Sequence, residues 1–380
     1  MSRNLGGGFE TGRLKLILDA CSLSQVHLAR ILNVSPGTVS KWVSGGMAPK
    51  PDMLEKLAKL VGVESEWFAR PTLEPLTSPM FRSMASAHKT ARVMLKARLE
   101  LAQELALIFS EFVDYPSVNL PTRHFKTLDA ITDEDIESAA AECRKLWRLG
   151  RTAIQDLMLA VEGAGVIVVR EETGAPAIEG LSASSKVLEH PMVLLSADKG
   201  NGYRSRFDLA HEIGHIVLHF GLEQTTNHQH HKQMEQQAHR FAGALLLPKE
   251  QFASELNAMY ATLNEMLHIK CRWGVSVRAI IMRLKDLELL DDWKASELFR
   301  SIAARWKSKW EPHDEDRKPE RPRLLRRTVE MLVENNVMPL DAIPRCAGLS
   351  AANVEALAGL PNGYLCNGGN IIPFVRLREG

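Results

Sequence analysis

The segment His211-Glu212-Ile213-Gly214-His215 holds three side chains whose types and spacing can do chemistry. On a helix, residues four apart share a face, so His211 and His215 can present two imidazoles to one metal ion. Glu212 lies beside them, where a carboxylate can hold a water on that ion and take its proton. Zinc lowers the pKa of such a water to about 7, which makes it a nucleophile for a carbonyl. A catalytic zinc takes three protein ligands and leaves a fourth position open. The third donor is expected from MEQQAHRFAGALLLP (234–248), where Glu235 stands in the first turns of a second helix. The 20 positions from His215 to Glu235 let the first helix end, a loop turn and an antiparallel helix return. The longer spacing HExxHxxGxxH is not met, because Leu218 and Gly221 stand where it requires Gly and His. The expected ligand set is His211, His215 and Glu235 around one zinc ion, with Glu212 as general base.

Seven of the 13 histidines lie from His211 to His239, so the remaining five need a reading too. His219 continues the i, i+4 series and is assigned to supporting the ligands or to packing. His228, His230 and His231 read as a polar loop, solvated or offering one ring to substrate or an oxyanion. His239, one turn after Glu235, is expected to hydrogen-bond to the ligands. Tyr203, Arg204 and Arg206 precede the motif as candidates for lining a cleft.

A second constellation is LSQVHLARILNVSPGTVSKWVSG (23–45), which has the spacing of a helix-turn-helix. Ala29 is small where two helices cross, and Val39 and Trp42 face inward. Thr38, Ser40 and Lys41 point away from that core, the division a helix reading base edges needs. No acidic residue lies between Asp19 and Asp52, whereas Arg30, Lys41 and Lys50 do, so this face is basic and suits phosphate contact.

Positioning these groups requires helices first. The pattern predicts helices at Gly12–Cys21, Gln25–Leu32, Pro36–Ser44 and after Pro51-Asp52, with a short turn at Ser65–Arg70. Ser35 suits a cap and Pro36 a first helical position. Further helices are expected at Met84–Val113, Asp133–Leu149, Ala153–Glu162, Arg206–Phe220, Lys232–Leu247 and through 249–309. GVIVVRE (165–171), PMVLLSA (191–197) and the tail IIPFVRL (371–377) read as strands. The expected fold class is mainly α with a small β component (α+β).

The 380 residues carry 47 Lys+Arg against 46 Asp+Glu, and 45% are hydrophobic, an ordinary globular composition that excludes fibrous and disordered classes. A net charge of +1 excludes nucleic-acid binding by bulk charge and leaves only a local basic face. No run approaches the roughly 18 apolar residues of a membrane span, and the start lacks a signal-peptide pattern. Five scattered cysteines, never CxxC, read as reduced thiols. The expected address is cytoplasmic, with no membrane partner.

Residues 11–70 resemble the XRE/Cro-repressor family. That resemblance implies that Gln25 touches phosphate or base and that Ser35, Gly37, Thr38, Ser40 and Lys41 occupy reading positions. Pro36 falls where many relatives carry a polar residue such as Gln, so one common base contact is absent. RFDLAHEIGHIVLH (206–219) followed by ExxAxxFAGALLLP resembles the ImmA/IrrE metallopeptidases. The likeness extends through FRS (81–83), WRLG (147–150), AVEGAGVIVV (160–169) and WGVSVRAIIMRLKDLELL (273–290). It implies Glu212 as general base and His211, His215 and Glu235 as metal ligands, and all four are present.

The expected organisation is a helix-turn-helix domain at 11–70, a zincin-like domain at 81–290 and a helical region at 291–380, with a charged linker at 306–323. The expected function is a DNA-binding transcriptional regulator with a zinc endopeptidase domain. Its partners are a double-stranded operator, a repressor-type protein cleaved in trans or within the chain itself, and a second copy in a homodimer. Two alternatives use the zincin-like domain without proteolysis: a ligand-sensing transcription factor and an antitoxin-like repressor.

Overall fold

The computed structural model describes residues 8–77, 80–81, 89–172, 174, 178–222, 228–255, 262–306 and 310–366. Its helices, in chain order, begin with α1 (Thr11–Ala20), α2 (Gln25–Leu32), α3 (Pro36–Ser44), α4 (Pro51–Val61) and a 3-10 turn at Ser65–Ala69. After β1 (Met80–Phe81) come α5 (Lys89–Phe109), α6 (Asp133–Leu146) and α7 (Leu157–Gly163). Strands β2 (Ile167–Glu171), β3 (Gly180–Ser185) and β4 (His190–Ser196) precede α8 (Gly202–His219) and α9 (His228–Leu246). The chain continues as α10 (Lys249–Ala253), α11 (Leu263–Trp273), α12 (Val277–Asp286), α13 (Asp292–Arg305), α14 (Leu324–Glu334), α15 (Ala342–Ala347) and α16 (Ala351–Ala358). The class is mainly α with a small sheet, as expected. Among the described residues no helix is long and apolar enough to cross a membrane.

Two compact units result. The first comprises residues 1–75, 93–114 and 323–380, and the second 76–92 and 115–322. In the first, local chemistry sets each boundary. Ser24 accepts from the His27 amide at the start of α2, and Asn33 ends it in the left-handed region at φ 54°. Ser35 then caps α3, whose first residue is Pro36, and Gly45 ends it at φ 78°. Val39 and Trp42 of α3 are buried with Leu14, Ile17, Leu28 and Leu57. Helix α5 joins this unit through charge: Glu104 accepts hydrogen bonds from Arg13 and from Trp67 Nε1, and Arg13 lies over the Trp67 ring. At its other end the α15–α16 turn repeats the α2–α3 turn, with Gly348 left-handed, one apolar residue (Leu349), then Ser350 capping through the Asn353 amide.

The second unit is built on a four-stranded sheet of order β1-β3-β4-β2. β3 and β4 form an antiparallel hairpin with Leu181 opposite Leu194, and β2 runs parallel to β4 with Val168 opposite Val193. Val166, Val168, Val193 and Leu195 share one core with Leu209, Ile213 and Val217 of α8 and with Phe241 and Leu245 of α9. α9 in turn packs against α6 and α12. The β3 segment GLSASS was not expected as a strand, because small polar residues have low intrinsic strand preference. Pairing on both edges and near-complete burial override it.

Several expectations need correction. Residues 93–109, placed by the sequence reading within 81–290, pack in the first unit because Glu104 answers the buried Arg13 there. The 291–380 segment is not one region: α13 lies in the second unit and α14–α16 in the first. The charged stretch 306–323 is not a linker where it is described. Glu311 is fully buried, accepts hydrogen bonds from the Val277 and Arg278 amides at the start of α12, and faces the buried Lys270. Glu320 accepts from the Leu157 and Met158 amides at the start of α7. The segment is a strap that caps two helices. His228, His230 and His231 lie in the first turns of α9 rather than in a loop, since no Gly or Pro stops the helix there. The tail 371–377 lies outside the described residues.

Candidate metal centre

α8 and α9 approach closely because Gly214 presents no side chain at their crossing. A Cβ there would meet Ala238 Cα and Phe241 Cδ1 at 3.1 Å. The closeness brings Glu235 against the face of α8 that carries the histidines. His211 Nε2 lies 3.4 Å from Glu235 Oε2, and His215 Nε2 lies 3.4 Å from Glu235 Oε1. The two Nε2 atoms are 3.1 Å apart. A tetrahedral ion with ligands at about 2.0–2.2 Å sets its donors roughly 3.3–3.6 Å apart. The three observed separations are close to that spacing, and Glu235 Oε2 is buried without a hydrogen-bond partner. The donor set fits a zinc-like cation.

Electrostatics agree with the geometry. Burial drives the His211 pKa well below the ordinary histidine value, helped by the neighbouring His215 and His239, and Glu235 only partly opposes it. Burial pushes His219 down to about 3, again with His215 adding to the effect. For Glu235, burial acts to raise the pKa, but the adjacent His211 and His215 outweigh it and hold the carboxyl below the usual range. Near neutral pH His211 is therefore an uncharged imidazole and Glu235 a carboxylate, the forms that bind a divalent ion.

Glu212 is buried on the same helix, beside β3. Gly180 makes room for it, since a Cβ there would lie 3.0 Å from Glu212 Oε1 and 3.2 Å from its Cγ. Sequence reasoning missed Gly180, because nothing in the string marks which strand residue faces a helix residue 32 positions later. It also undervalued His239. The donor atoms of His211, Glu235 and His239 lie within 4.8 Å of one another, and the His211 and His239 rings meet edge-on at 4.5 Å. The i, i+4 relation of Glu235 and His239 was the available signal. His231 Nε2 stands 3.9 Å from Glu235 Oε1.

Glu235 and His239 also line a cavity of about 800 Å³ bounded by α6, α8, α9 and α12. Its wall includes Arg204, Phe207 and Met282. Of the three residues expected along a cleft, only Arg204 is there. Tyr203 is buried under Lys270, whose Nζ is 4.6 Å from the ring, and Arg206 is buried beside Glu320 at 3.4 Å.

In the first unit the expected reading residues are placed as follows. Gln25, Ser35, Gly37, Ser40 and Lys41 are exposed, and Thr38 is half-buried. The Ser35 hydroxyl is engaged in the cap, accepting from the Thr38 amide at 3.1 Å and meeting Thr38 Oγ1 at 2.8 Å. Arg30, Lys41 and Lys50 are exposed around them.

Residues 161–285 match the family model of the IrrE N-terminal-like domain, a peptidase family, and residues 14–68 match the helix-turn-helix model. The chain joins a helix-turn-helix domain to an IrrE N-terminal-like domain. The match to the IrrE-like model runs from α7 through α12, and so takes in the sheet strands β2–β4, the HEIGH helix and the helix of Glu235. No curated protein matches the chain.

Proposed function

We propose that this chain is a cytoplasmic DNA-binding transcriptional regulator whose IrrE-like domain is a zinc-dependent endopeptidase. The carrying observation is the convergence of His211, His215 and Glu235 at 3.1–3.4 Å, buried beside Glu212. In this reading His211, His215 and Glu235 hold one zinc ion, which when bound supplies a Lewis acid. Glu212 accepts the proton of the attacking water and returns it to the leaving amine. Burial of Glu212 and the histidines excludes bulk solvent, and the adjoining cavity receives part of the substrate chain. The substrate is a repressor-type protein or a segment of the chain itself. On the DNA side Gln25, Ser35, Gly37, Thr38, Ser40 and Lys41 form the reading surface. Two copies bind an operator as a homodimer. The DNA-reading function lies within 11–70 and the peptidase function within 81–290, with stress-response or mobile-element genes as the output.

The test is Glu212→Gln. It should keep zinc at one ion per chain, measured by metal analysis, and keep DNA affinity, while cleavage of candidate repressors is lost. Regulation in cells that survives this substitution overturns the peptidase reading. The cavity beside Glu235 and His239 favours ligand sensing as the second reading. Regulation dependent on His211 and Glu235, yet indifferent to Glu212, selects it.

A further inference from the structure

Beyond the ligands, a buried chain of hydrogen bonds leads away from His215. His219 Nδ1 lies 3.0 Å from His215 Nδ1, and His219 Nε2 lies 3.0 Å from Gln237 Oε1. Gln237 Nε2 donates to the Leu128 carbonyl at 3.0 Å. Leu128 belongs to a 3-10 turn at Leu128–Ala130, before α6. His219 is fully buried and Gln237 nearly so.

The direction of every bond in this chain is forced from its far end. A backbone carbonyl only accepts, so the Gln237 amide must turn its NH2 to Leu128 and its oxygen to His219. His219 Nε2 must then carry the hydrogen. His219 is fully buried, and the described hydrogen bonds of its ring go only to Gln237 Oε1 and His215 Nδ1. With Nε2 donating to Gln237, the other ring nitrogen, Nδ1, presents a lone pair. His215 Nδ1 must therefore donate, which leaves the lone pair of His215 on Nε2, the atom that faces Glu235 and His211.

We propose that His219 and Gln237 are positioning residues that lock His215 in its Nδ1–H tautomer and so aim an Nε2 lone pair into the metal site. The role in metal binding rests on the reading of His215 as a ligand, while the tautomer itself does not. His211 lacks such support, for its Nδ1 is buried without a hydrogen-bond partner. The two helix ligands are thus unequal: one is preset, and the other is oriented by Glu235 and the ion. Ligand imidazoles generally donate their second nitrogen to a carboxylate or carbonyl. Here a second histidine and an amide relay that function to a carbonyl on a neighbouring turn.

The test uses the full chain with 15N-labelled histidine, metal-free, and long-range proton–nitrogen correlation spectra assigned by single substitutions. His215 should show the Nδ1–H pattern and His219 the Nε2–H pattern. Zinc affinity is then measured by chelator competition for His219→Leu, His219→Asn and Gln237→Leu. His219→Leu removes the acceptor and should weaken zinc binding by about 10–100-fold. His219→Asn places an amide oxygen near the former Nδ1 and should stay within about threefold of the parent, because it still accepts from His215. The melting temperature of each variant is measured alongside, so affinity that follows the acceptor and not the stability marks positioning. Gln237→Leu should give His215 as a mixture of tautomers. An Nε2–H pattern at His215 in the parent, or equal affinity losses in the Leu and Asn variants, overturns the proposal. A parent that shows Nδ1–H but binds no zinc removes the ligand reading while leaving the relay's direction intact.

Discussion

Glu212 and Gly180 illustrate how a residue can matter through the space it leaves. A methyl group on Gly180 would press on Glu212 Oε1 at 3.0 Å, with the Leu194 carbonyl 3.2 Å away on the other side. The carboxylate has to move, because the strand pairs on both edges and cannot. Gly180→Ala should therefore displace Glu212, the proposed general base, without touching the proposed metal ligands. A misplacement of about 1 Å in such a group costs on the order of 10²-fold in rate. The expected result is cleavage reduced by about 10–100-fold with zinc content unchanged, read by a peptidase assay alongside metal analysis. Loss of zinc together with activity would show instead that the substitution disrupts α8. At this scale the sequence made His211, Glu212, His215 and Glu235 legible, since helical spacing alone brings the first three together. Gly180, His239 and the His219–Gln237 chain were hidden, because their roles depend on contacts across elements rather than on spacing within one.

Elements show the same division between local and distant causes. The cap at Ser35 and the strands β2 and β4 could be read, as turn chemistry and runs of Val and Ile are written in a few adjacent residues. β3 could not, and neither could the strap. In a string, Glu311, Asp314 and Glu320 look like any solvated charges between prolines. Their partners lie 33 or more positions away, at amides left open by helix starts and at Lys270. Glu311→Ala should leave the α12 amides uncapped and Lys270, fully buried, with Asp314 as its remaining carboxylate. Breaking a buried pair of this kind costs about 3–5 kcal/mol. Chemical denaturation should show a loss near that size, while Glu315→Ala, an exposed neighbour, should change stability by less than about 0.5 kcal/mol. Equal, small effects from both would return the segment to the status of a linker.

Across the whole molecule, the helix-turn-helix is carried by a unit assembled from three separate stretches of chain, and its C-terminal stretch is bound by backbone chemistry. The Gly62 carbonyl accepts from the Ser350 amide and from Asn353 Nδ2, both at 2.8 Å, and the Glu64 amide donates to the Gly348 carbonyl at 2.9 Å. Arg70 Nη1 donates to the Ala347 carbonyl at 2.9 Å, and Arg98 to Asn353 Oδ1 at 3.2 Å. The first turn of α16, the counterpart of the turn of α3 proposed to read DNA, thus meets the C-terminal end of α4. Its sequence could be recognised as helical but not as part of this unit, because no pattern within 324–360 encodes a partner near residue 62. Asn353→Ala removes hydrogen bonds to Gly62 and Arg98 and leaves buried partners exposed to imperfect solvation. It should destabilise this unit by about 1–3 kcal/mol, measured by its melting transition. None of the reading residues changes, so DNA affinity well below that transition should match the parent. Lys41→Ala should do the reverse, keeping the melting temperature while weakening DNA binding and reducing its salt dependence by about one ion. If Asn353→Ala alters DNA affinity under conditions where the protein is fully folded, α16 acts on DNA recognition itself rather than on the stability of the domain that performs it.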